Sequence, residues 1–401
     1  MSTDRSLWAV INTAVMLSLM LSSATPQASE IAIPVAPADA RSVLPPVGGD
    51  HTVGVRSFSW IDNTRSRTGL PGNGGNREIT VTVWYPATTS PDQKQALYAP
   101  EIEFFLAAAD TVPENRRQFI NAHEPLANVT SNSIPDAEPA PLAEGWPVIF
   151  FSPGGNVSRH FQTALAEEIA SRGFVFISMS HPYSSLDVAP ESGFSMSLDW
   201  DLDNEDRRIA DENDNRLSGI LAEDTRFVLK QMRIAAGSGH PLAMAMDLDR
   251  PGIAGHSRGG KTVARSCSTN EQFRACAVID NIGPALERKT GINQPFVTLR
   301  SGWSEERVNE LHDYLGRTGT VSYDLLLKNS NHFTCTDMPL FISDLRVEGT
   351  DPIEGIKDCA RIIASFFEAF LASNASENVH WIPQSLSEKV AVRQFTSSAR
   401  E

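Results

Sequence analysis

A glycine-rich stretch contains the serine whose sequence context most clearly suggests a chemical role. Residues 252–262 read GIAGHSRGGKT, in which Ser257 stands in a G-x-S-x-G pattern between Gly255 and Gly259. This pattern is typical of a sharp strand-to-helix turn that presents a serine hydroxyl, and the glycines are needed because the crowded turn has no room for side chains. Glycine-rich turns around serine also occur in ordinary loops, so a nucleophilic role for Ser257 requires partners elsewhere in the chain.

A serine nucleophile needs a histidine base and a carboxylate that holds this base in the right tautomer. Asp280 ends the apolar segment RACAVID, and His332 follows the segment YDLLLKNSN. Both are predicted at strand ends downstream of Ser257, and we interpret them as the acid and the base of a catalytic triad. His181, in the segment SHPY, is the rival base. Because His181 precedes the serine, we expect it to line the substrate pocket together with Tyr183.

Acyl transfer also needs N–H donors for the oxyanion that forms on the substrate. The backbone N–H of Arg258, directly after the serine, is the first candidate. The second is Gly155 in the segment SPGGN, since a glycine lets the backbone approach the developing charge. A simple strand-to-helix turn at Gly154 and Gly155 would have the same sequence.

Hydrophobic periodicity indicates the elements that position these residues. The segments HTVGVRSFSWID and REITVTVWYPA alternate apolar and polar residues, which predicts two antiparallel strands. Buried strands are predicted in WPVIFFSPGG, FVFISMSHPY, RACAVID, PFVTLRSG and YDLLLKNSNH, and helices in HFQTALAEEIASRG, ILAEDTRFVLKQMRIAAG and GIKDCARIIASFFEAFLA. This alternation predicts an α/β fold with a mostly parallel central sheet and helices on both faces.

The chain divides into one folded domain with extensions. The predicted segments are a signal peptide at 1–28, a flexible leader at 29–45, a catalytic domain at 46–373 and a polar, poorly ordered C-terminal tail at 374–401. Insertions are expected at about 97–142, with a short helix around Glu101 to Ala109, and at 184–216. The second insertion is acidic, which is typical of a solvated surface segment; the alternative is a substrate-access loop.

The N-terminal residues indicate export. Arg5 precedes an apolar run from Leu7 to Leu21, and small residues follow around Ala24 and Ala28. The run is short for a membrane span and no basic stop-transfer flank follows, so we expect a cleaved signal peptide and no membrane span after its removal. The mature protein is predicted to be secreted or periplasmic.

Four cysteines, an even number in a chain predicted to be exported, allow disulfides. The sequence permits three pairings. Pairing between neighbours, Cys267 with Cys276 and Cys335 with Cys359, is the simplest.

Charge and composition exclude some classes of partner. The chain of 401 residues carries 34 Lys and Arg against 49 Asp and Glu, a formal net charge of −15. Nucleic-acid binding is not expected, because it needs clustered basic residues. There is no C-x-x-C or clustered Cys and His spacing in the sequence, so no metal or other cofactor is expected.

The motifs together resemble a known family. PVGGDHTVGV, REITVTVWYPA, IFFSPGGNVSRHFQTALAEEIASRGFVFISMSHPY, DTRFVLKQM, IAGHSRGGKTVARS, FRACAVIDN and SNHFTCTD stand in the order found in the platelet-activating-factor acetylhydrolases of the α/β-hydrolase superfamily, over about residues 46–371. The resemblance implies an α/β-hydrolase fold with Ser257, Asp280 and His332 as the triad. The N–H groups of Gly155 and Arg258 are then the oxyanion hole.

Three positions depart from the family pattern. Arg258 stands where the family commonly has Phe, and Pro153 stands where it has His. Cys335 replaces a bulky apolar residue three positions after His332, which favours a disulfide, most simply to Cys359. No hydrophobic interfacial helix is recognisable, so a soluble ester is as good a candidate substrate as a phospholipid.

We therefore interpret the sequence as that of a secreted serine carboxylic-ester hydrolase that acts on short-acyl esters of small molecules or lipids. One alternative keeps the fold but cleaves polyesters, dienelactones or amides. A second alternative is a non-catalytic secreted binding protein on a hydrolase scaffold, which fold analogy alone does not exclude.

Overall fold

A long mixed sheet forms the centre of the computed structural model, which describes residues 29–31, 41–42, 44–70, 74–88, 93–112, 114–121, 124–269, 272–371 and 381–396. The predicted signal peptide and much of the predicted leader lie outside these residues. The described strands are β1 Ser29–Ile31, β2 Arg41–Ser42, β3 Thr52–Ser66, β4 Asn76–Ala87, β5 Val129–Thr130, β6 Ile134–Pro135, β7 Trp146–Ser152, β8 Val175–Met179, β9 Asp187–Ala189, β10 Gly193–Ser195, β11 Met246–His256, β12 Ala275–Ile279, β13 Phe296–Arg300, β14 Ser322–Leu327 and β15 Val390–Phe395.

Strand order brings the segments that contain the candidate catalytic residues to one edge of the sheet. The order is β1-β3-β4-β8-β7-β11-β12-β13-β14-β15. The six strands from β8 to β14 in this order are parallel, and the outer strands pair antiparallel. Parallel pairing aligns the carboxyl ends of β7, β11, β12 and β14, so the loops that follow them meet at one edge. The predicted mostly parallel sheet is confirmed.

Helices cover both faces of this sheet, as predicted. The described α-helices are α1 Ile102–Ala108, α2 Glu114–Asn121, α3 Thr163–Ser171, α4 Arg207–Gly237, α5 Pro241–Met244, α6 Arg258–Thr269, α7 Ala285–Thr290, α8 Glu305–Leu315, α9 Met338–Phe341 and α10 Pro352–Leu371. One core holds apolar side chains of α3 and α10, and a separate core on the other face holds those of α4, α6 and α8. Because both faces of the sheet are buried, its strands have nearly continuous apolar sequences.

The helix α4 begins earlier than its apolar spacing predicts. The acidic segment up to Arg216 was expected to be an irregular insertion, but α4 starts at Arg207. The side chain of Asp206 caps its N-terminus by accepting a hydrogen bond from the N–H of Arg208. The insertion is therefore shorter than expected, and it contains the hairpin of β9 and β10.

Both ends of the described chain differ from the expected leader and tail. Strands β1 and β2 lie within the segment predicted as a flexible leader. Strand β1 pairs with β3, and β2 pairs with β5. Strand β15 lies within residues 374–401 and pairs antiparallel with all of β14. The strand is short and lies at the edge of the sheet, and its exposed residues are both apolar, such as Val392, and polar, such as Arg393, so no clear alternation marks it in the sequence.

Two disulfides join neighbouring cysteines, which confirms the simplest pairing. Cys267 in α6 bonds Cys276 in β12, and Cys335 bonds Cys359 in α10. No free cysteine is present in the part of the chain that the structure describes. The second bridge ties the loop after β14 to the helix that covers the sheet.

Candidate active site

Ser257 lies in the turn between β11 and α6, where the motif predicts it. Its φ is +54°, in the left-handed region that few residues other than glycine adopt. A side chain at Gly255 would collide with the carbonyl of Gly259, and one at Gly259 would collide with the carbonyl of Ser152. The two glycines of the motif are thus required by close backbone approach, and the turn has the geometry of a nucleophile elbow.

Asp280 directly follows β12 and contacts the predicted base. Its Oδ2 lies 2.5 Å from Nδ1 of His332. Its Oδ1 accepts three hydrogen bonds, each of 2.8 Å, from the backbone N–H and hydroxyl of Ser301 and from the indole N–H of Trp303. Burial by itself raises the pKa of Asp280, but the hydrogen bonds from His332 and Ser301 outweigh it and hold the pKa well below its usual range. The carboxylate is charged at neutral pH and oriented by four donors.

His332 lies in the loop after β14, and its side chain is 39% exposed. Because Asp280 accepts the proton of Nδ1, the basic lone pair of the neutral ring is on Nε2. The ring is therefore in the tautomer that a general base requires. The structure brings Asp280 and His332 together as predicted.

His256 contacts the backbone of the proposed base, and the sequence did not reveal this contact. This residue precedes the elbow serine, and its Nε2–H donates to the carbonyl of His332 at 2.7 Å. The two imidazole centroids are 4.7 Å apart. Burial lowers the pKa of His256 to about 4, with the nearby His332 adding to the effect, so His256 is a neutral donor at pH 7. The available signal was its place at the second position of the motif, at the end of β11 and directly before Ser257.

The loop after β7 lies against the elbow, as the predicted oxyanion hole requires. A Cβ atom on Gly154 would stand 3.6 Å from the Cβ of Ser257. A Cβ atom on Gly155 would stand 2.7 Å from the guanidinium carbon of Arg258. Arg258 is the first residue of α6, so its backbone N–H is among those that no intrahelical carbonyl satisfies. The structure thus brings Gly155 and Arg258 side by side at the elbow.

His181 belongs to a buried network behind this loop. Its Nδ1–H donates to Asp224 at 2.9 Å, and its Nε2 accepts from the hydroxyl of Ser152 at 2.8 Å. Asp224 in turn accepts two hydrogen bonds from Arg77, at 2.7 and 2.6 Å. With 1% of its surface exposed and both ring nitrogens engaged, His181 has the contacts of a residue that positions Ser152, at the end of β7. Its expected place in the pocket lining stays a prediction.

Tyr183 lies at the base of the insertion that follows β8. Its φ is +63°, and its carbonyl accepts hydrogen bonds from the N–H of Leu198 and the indole of Trp200. The guanidinium carbon of Arg67 lies 5.9 Å from the centre of its ring. The backbone of Tyr183 thus anchors the insertion, and a contact of its ring with substrate stays a prediction.

Neither a metal-ion cluster nor a membrane-spanning helix is found among the described residues. No group of three or more His, Cys, Asp and Glu side chains is arranged there to hold a metal ion. None of the described helices is long and apolar enough to cross a membrane.

Comparison with known proteins supports the resemblance found in the sequence. Residues 37–189 match the model of the family described as platelet-activating factor acetylhydrolase, isoform II. The predicted resemblance is confirmed. The matched segment contains Gly155, His181 and Tyr183 and ends before Ser257, so the match does not cover Ser257, Asp280 or His332.

Curated relatives and a solved structure agree with this result. The platelet-activating factor acetylhydrolase of Cavia porcellus is 26% identical over 248 residues, which are 56% of each chain. That of Bos taurus is 25% identical over 51% of this chain and 50% of its own. A probable 1-alkyl-2-acetylglycerophosphocholine esterase of Arthroderma benhamiae is 33% identical over 30% of this chain and 28% of its own. The chain thus spans about half the length, or less, of the curated relatives it matches.

The fold is shared with a solved esterase. A ferulic acid esterase from Streptomyces cinnamoneus superposes with a TM-score of 0.69, covers 87% of this chain and 98% of its own, and is 23% identical. This protein therefore has the α/β-hydrolase fold.

Proposed function

We propose that this protein is a serine carboxylic-ester hydrolase that cleaves short-acyl esters. The observation that carries the proposal is the 2.5 Å contact between His332 Nδ1 and Asp280 Oδ2, at the sheet edge where the elbow serine lies. The names of the relatives, acetylhydrolases and esterases, support the substrate class.

The reaction follows from the roles of these groups. The hydroxyl oxygen of Ser257 adds to the ester carbonyl carbon while Nε2 of His332 takes its proton. The N–H groups of Gly155 and Arg258 stabilise the oxyanion, and Asp280 stabilises the imidazolium. The bond to the alkoxy oxygen then breaks, and the alcohol leaves with the proton from His332. Water attacks the acyl-serine with His332 as base, which releases the carboxylic acid and restores the serine.

Export is part of the proposal. We infer that residues 1–28 are a signal peptide that is removed, and that Cys267–Cys276 and Cys335–Cys359 form in an oxidising compartment. The intact mass of the exported protein tests this inference: a mature chain that retains residues 1–28 would contradict it.

Hydrolysis of p-nitrophenyl acetate, butyrate and octanoate tests the activity. We expect the wild-type protein to prefer the short esters and Ser257→Ala to lose at least about a thousandfold in kcat. Ser268→Ala, an exposed serine in the same helix α6, is the matched control and retains activity. Wild-type activity in the Ser257→Ala variant would refute the proposal, and preference for octanoate would refute the short-acyl assignment.

A further inference from the structure

Arg258 places a positive charge beside the proposed oxyanion hole. Its guanidinium lies on the backbone of Gly155, where a Cβ atom would stand 2.7 Å from Cζ and 2.8 Å from Nη1. The neighbouring Gly154 approaches Ser257 itself. The guanidinium of Arg258 thus contacts Gly155, the residue next to the one that approaches the proposed nucleophile.

Arg258 is partly buried, and its charge lacks the carboxylate partner that two fully buried arginines have. Arg77 and Arg159 are completely buried, and each contacts an aspartate at 2.6 Å. Among the described residues, no carboxylate lies within ion-pair distance of Arg258, and its Nη1 donates a hydrogen bond to the hydroxyl of Ser197 at 3.2 Å. A guanidinium has five N–H donors, so most of its capacity is left for another group.

The partly buried surroundings of Arg258 disfavour its charged form. Burial lowers its pKa, while the charges of Asp214 and Asp203 oppose this effect. Asp214 forms an ion pair with Lys261 at 2.8 Å, and Asp203 is exposed. The nitrogen atoms of Arg258 are not among the described side-chain atoms that are both buried and unpartnered, so a donor of Arg258 without a protein partner is accessible from solvent, the side from which a ligand would approach.

The insertion after β8 holds the guanidinium in place. The N–H of Ser197 donates to Oδ1 of Asn156 at 3.2 Å, and the N–H of Asn156 donates to the carbonyl of Ser184 at 2.8 Å. Ser197 is thus tied to the loop after β7, and its hydroxyl meets Arg258. A cation fixed in this way loses little conformational freedom when it binds a ligand.

We propose that Arg258 binds an anionic group of the substrate, a carboxylate or a phosphate, close to the scissile ester. The planar fork of a guanidinium matches both groups, and such charge-assisted hydrogen bonds are the strong ones. This inference rests on the proposed ester hydrolase activity and narrows it to negatively charged esters.

Matched esters test the inference on either side of the scissile bond. On the acyl side, the mono-4-nitrophenyl ester of glutaric acid is compared with 4-nitrophenyl pentanoate. On the leaving-group side, 4-acetoxybenzoate and 4-acetoxyphenyl phosphate are each compared with methyl 4-acetoxybenzoate. The measured quantity is the ratio of kcat/KM for the anionic ester to that for its neutral partner. Comparison of variants with the wild type removes the intrinsic reactivity of each ester.

We expect Arg258→Gln to lower this ratio at least about tenfold in one of the arms, and that arm identifies the side and the type of anion. Arg258→Lys keeps part of the preference because it keeps the charge. Arg208→Gln, which removes a charge at the exposed start of α4, is the matched control and leaves the ratio unchanged.

The outcomes separate this inference from the proposed function. Equal ratios in the wild type and Arg258→Gln in every arm would overturn the role of Arg258 while leaving the hydrolase intact. A wild-type protein that cleaves none of the esters would refute the hydrolase and the inference with it. If Arg258→Gln does not fold, the test uses Arg258→Lys and the dependence of KM on salt concentration. Added salt must then raise KM for the anionic ester and leave KM for its neutral partner unchanged.

Discussion

Asp224 and Asp337 are both completely buried, yet their surroundings are opposite. Asp224 lies behind the loop after β7 and accepts hydrogen bonds from Arg77, Arg65 and His181. Asp337 lies five residues after His332, and its Oδ2 accepts from the hydroxyl of Tyr98 and the N–H of Ala164, both at 3.1 Å. Burial is therefore equal, but Asp224 has charged partners on both oxygens, whereas Asp337 has neutral donors on Oδ2 and its buried Oδ1 has no partner among the described residues.

The pKa values of the two carboxyl groups separate accordingly. Burial raises the pKa of Asp224, but the charge and hydrogen bonds of Arg77 outweigh it and hold the pKa far below its usual range. Burial raises the pKa of Asp337 well above its usual range, and two neutral donors do not offset it. One side of the site thus rests on an ion-pair network and the other on a carboxyl group whose charged form is disfavoured.

Asp224→Asn is expected to have the largest effect. The substitution leaves Arg77 buried without a counter-charge, which should lower the free energy of unfolding by about 3 to 5 kcal/mol. Urea unfolding at pH 7 measures it, with the exposed aspartate variant Asp249→Asn as a control that changes it by less than about 0.5 kcal/mol. A loss below about 1 kcal/mol for Asp224→Asn would mean that the network does not depend on its charge.

Asp337→Asn should have a smaller effect of opposite sign that depends on pH. The folded pKa of Asp337 is raised, so its favourable contribution is fully present below the unfolded pKa and is lost as pH rises toward the folded value. Asn resembles the neutral acid in shape and does not titrate. We expect equal stability of variant and wild type near pH 4 and a gain of about 1 kcal/mol or more for the variant at pH 7.

Thermal unfolding from pH 4 to pH 8 checks this expectation. A variant that is less stable than the wild type at pH 7 would show that Asp337 is charged in the folded protein and that the comparison with Asp224 fails.

Trp303→Phe is expected to have the smallest effect, and it tests Asp280, whose surroundings lie between those of Asp224 and Asp337. The substitution removes one donor to Asp280 and keeps a ring beneath Arg307, whose guanidinium carbon lies 3.9 Å from the ring centre. Because Ser301 and His332 still orient the carboxylate, we expect kcat to fall only about fivefold and KM to stay unchanged.

Ester hydrolysis measures the effect of Trp303→Phe. The control is Trp146→Phe, which removes an indole donor to Ala140 at the opposite end of β7. Loss of most activity in Trp303→Phe would show that Asp280 depends on this one donor, and an unchanged kcat would show that the donor is redundant.

The sequence predicted what local pattern determines. Apolar runs identified the parallel strands, and the residues that follow two of them, Asp280 and His332, meet because parallel strands share an edge. The pairing of neighbouring cysteines was also correct. The glycine spacing predicted the elbow because close backbone approach excludes side chains there.

Long-range contacts explain what the sequence did not predict. Asp224 and His181 are 43 residues apart, and nothing in either local pattern indicates that they pair. Strand β15 depends on the free edge of β14, which is known only after the sheet is assembled. Ser301 and Trp303 follow β13 and become partners of Asp280 through strand order alone.

The two disulfides have a consequence for the production of this protein. One bridge joins the helix after Ser257 to the strand that leads to Asp280, and the other begins three residues after His332. Each bridge of this loop length stabilises a protein by about 3 kcal/mol. A host that makes the chain in a compartment with reduced thiols would yield polypeptide of correct sequence in which these bridges do not hold the segments around Ser257, Asp280 and His332. Preparations that differ only in thiol oxidation should therefore differ in the fraction of molecules able to turn over, and thiol titration belongs beside every rate measurement.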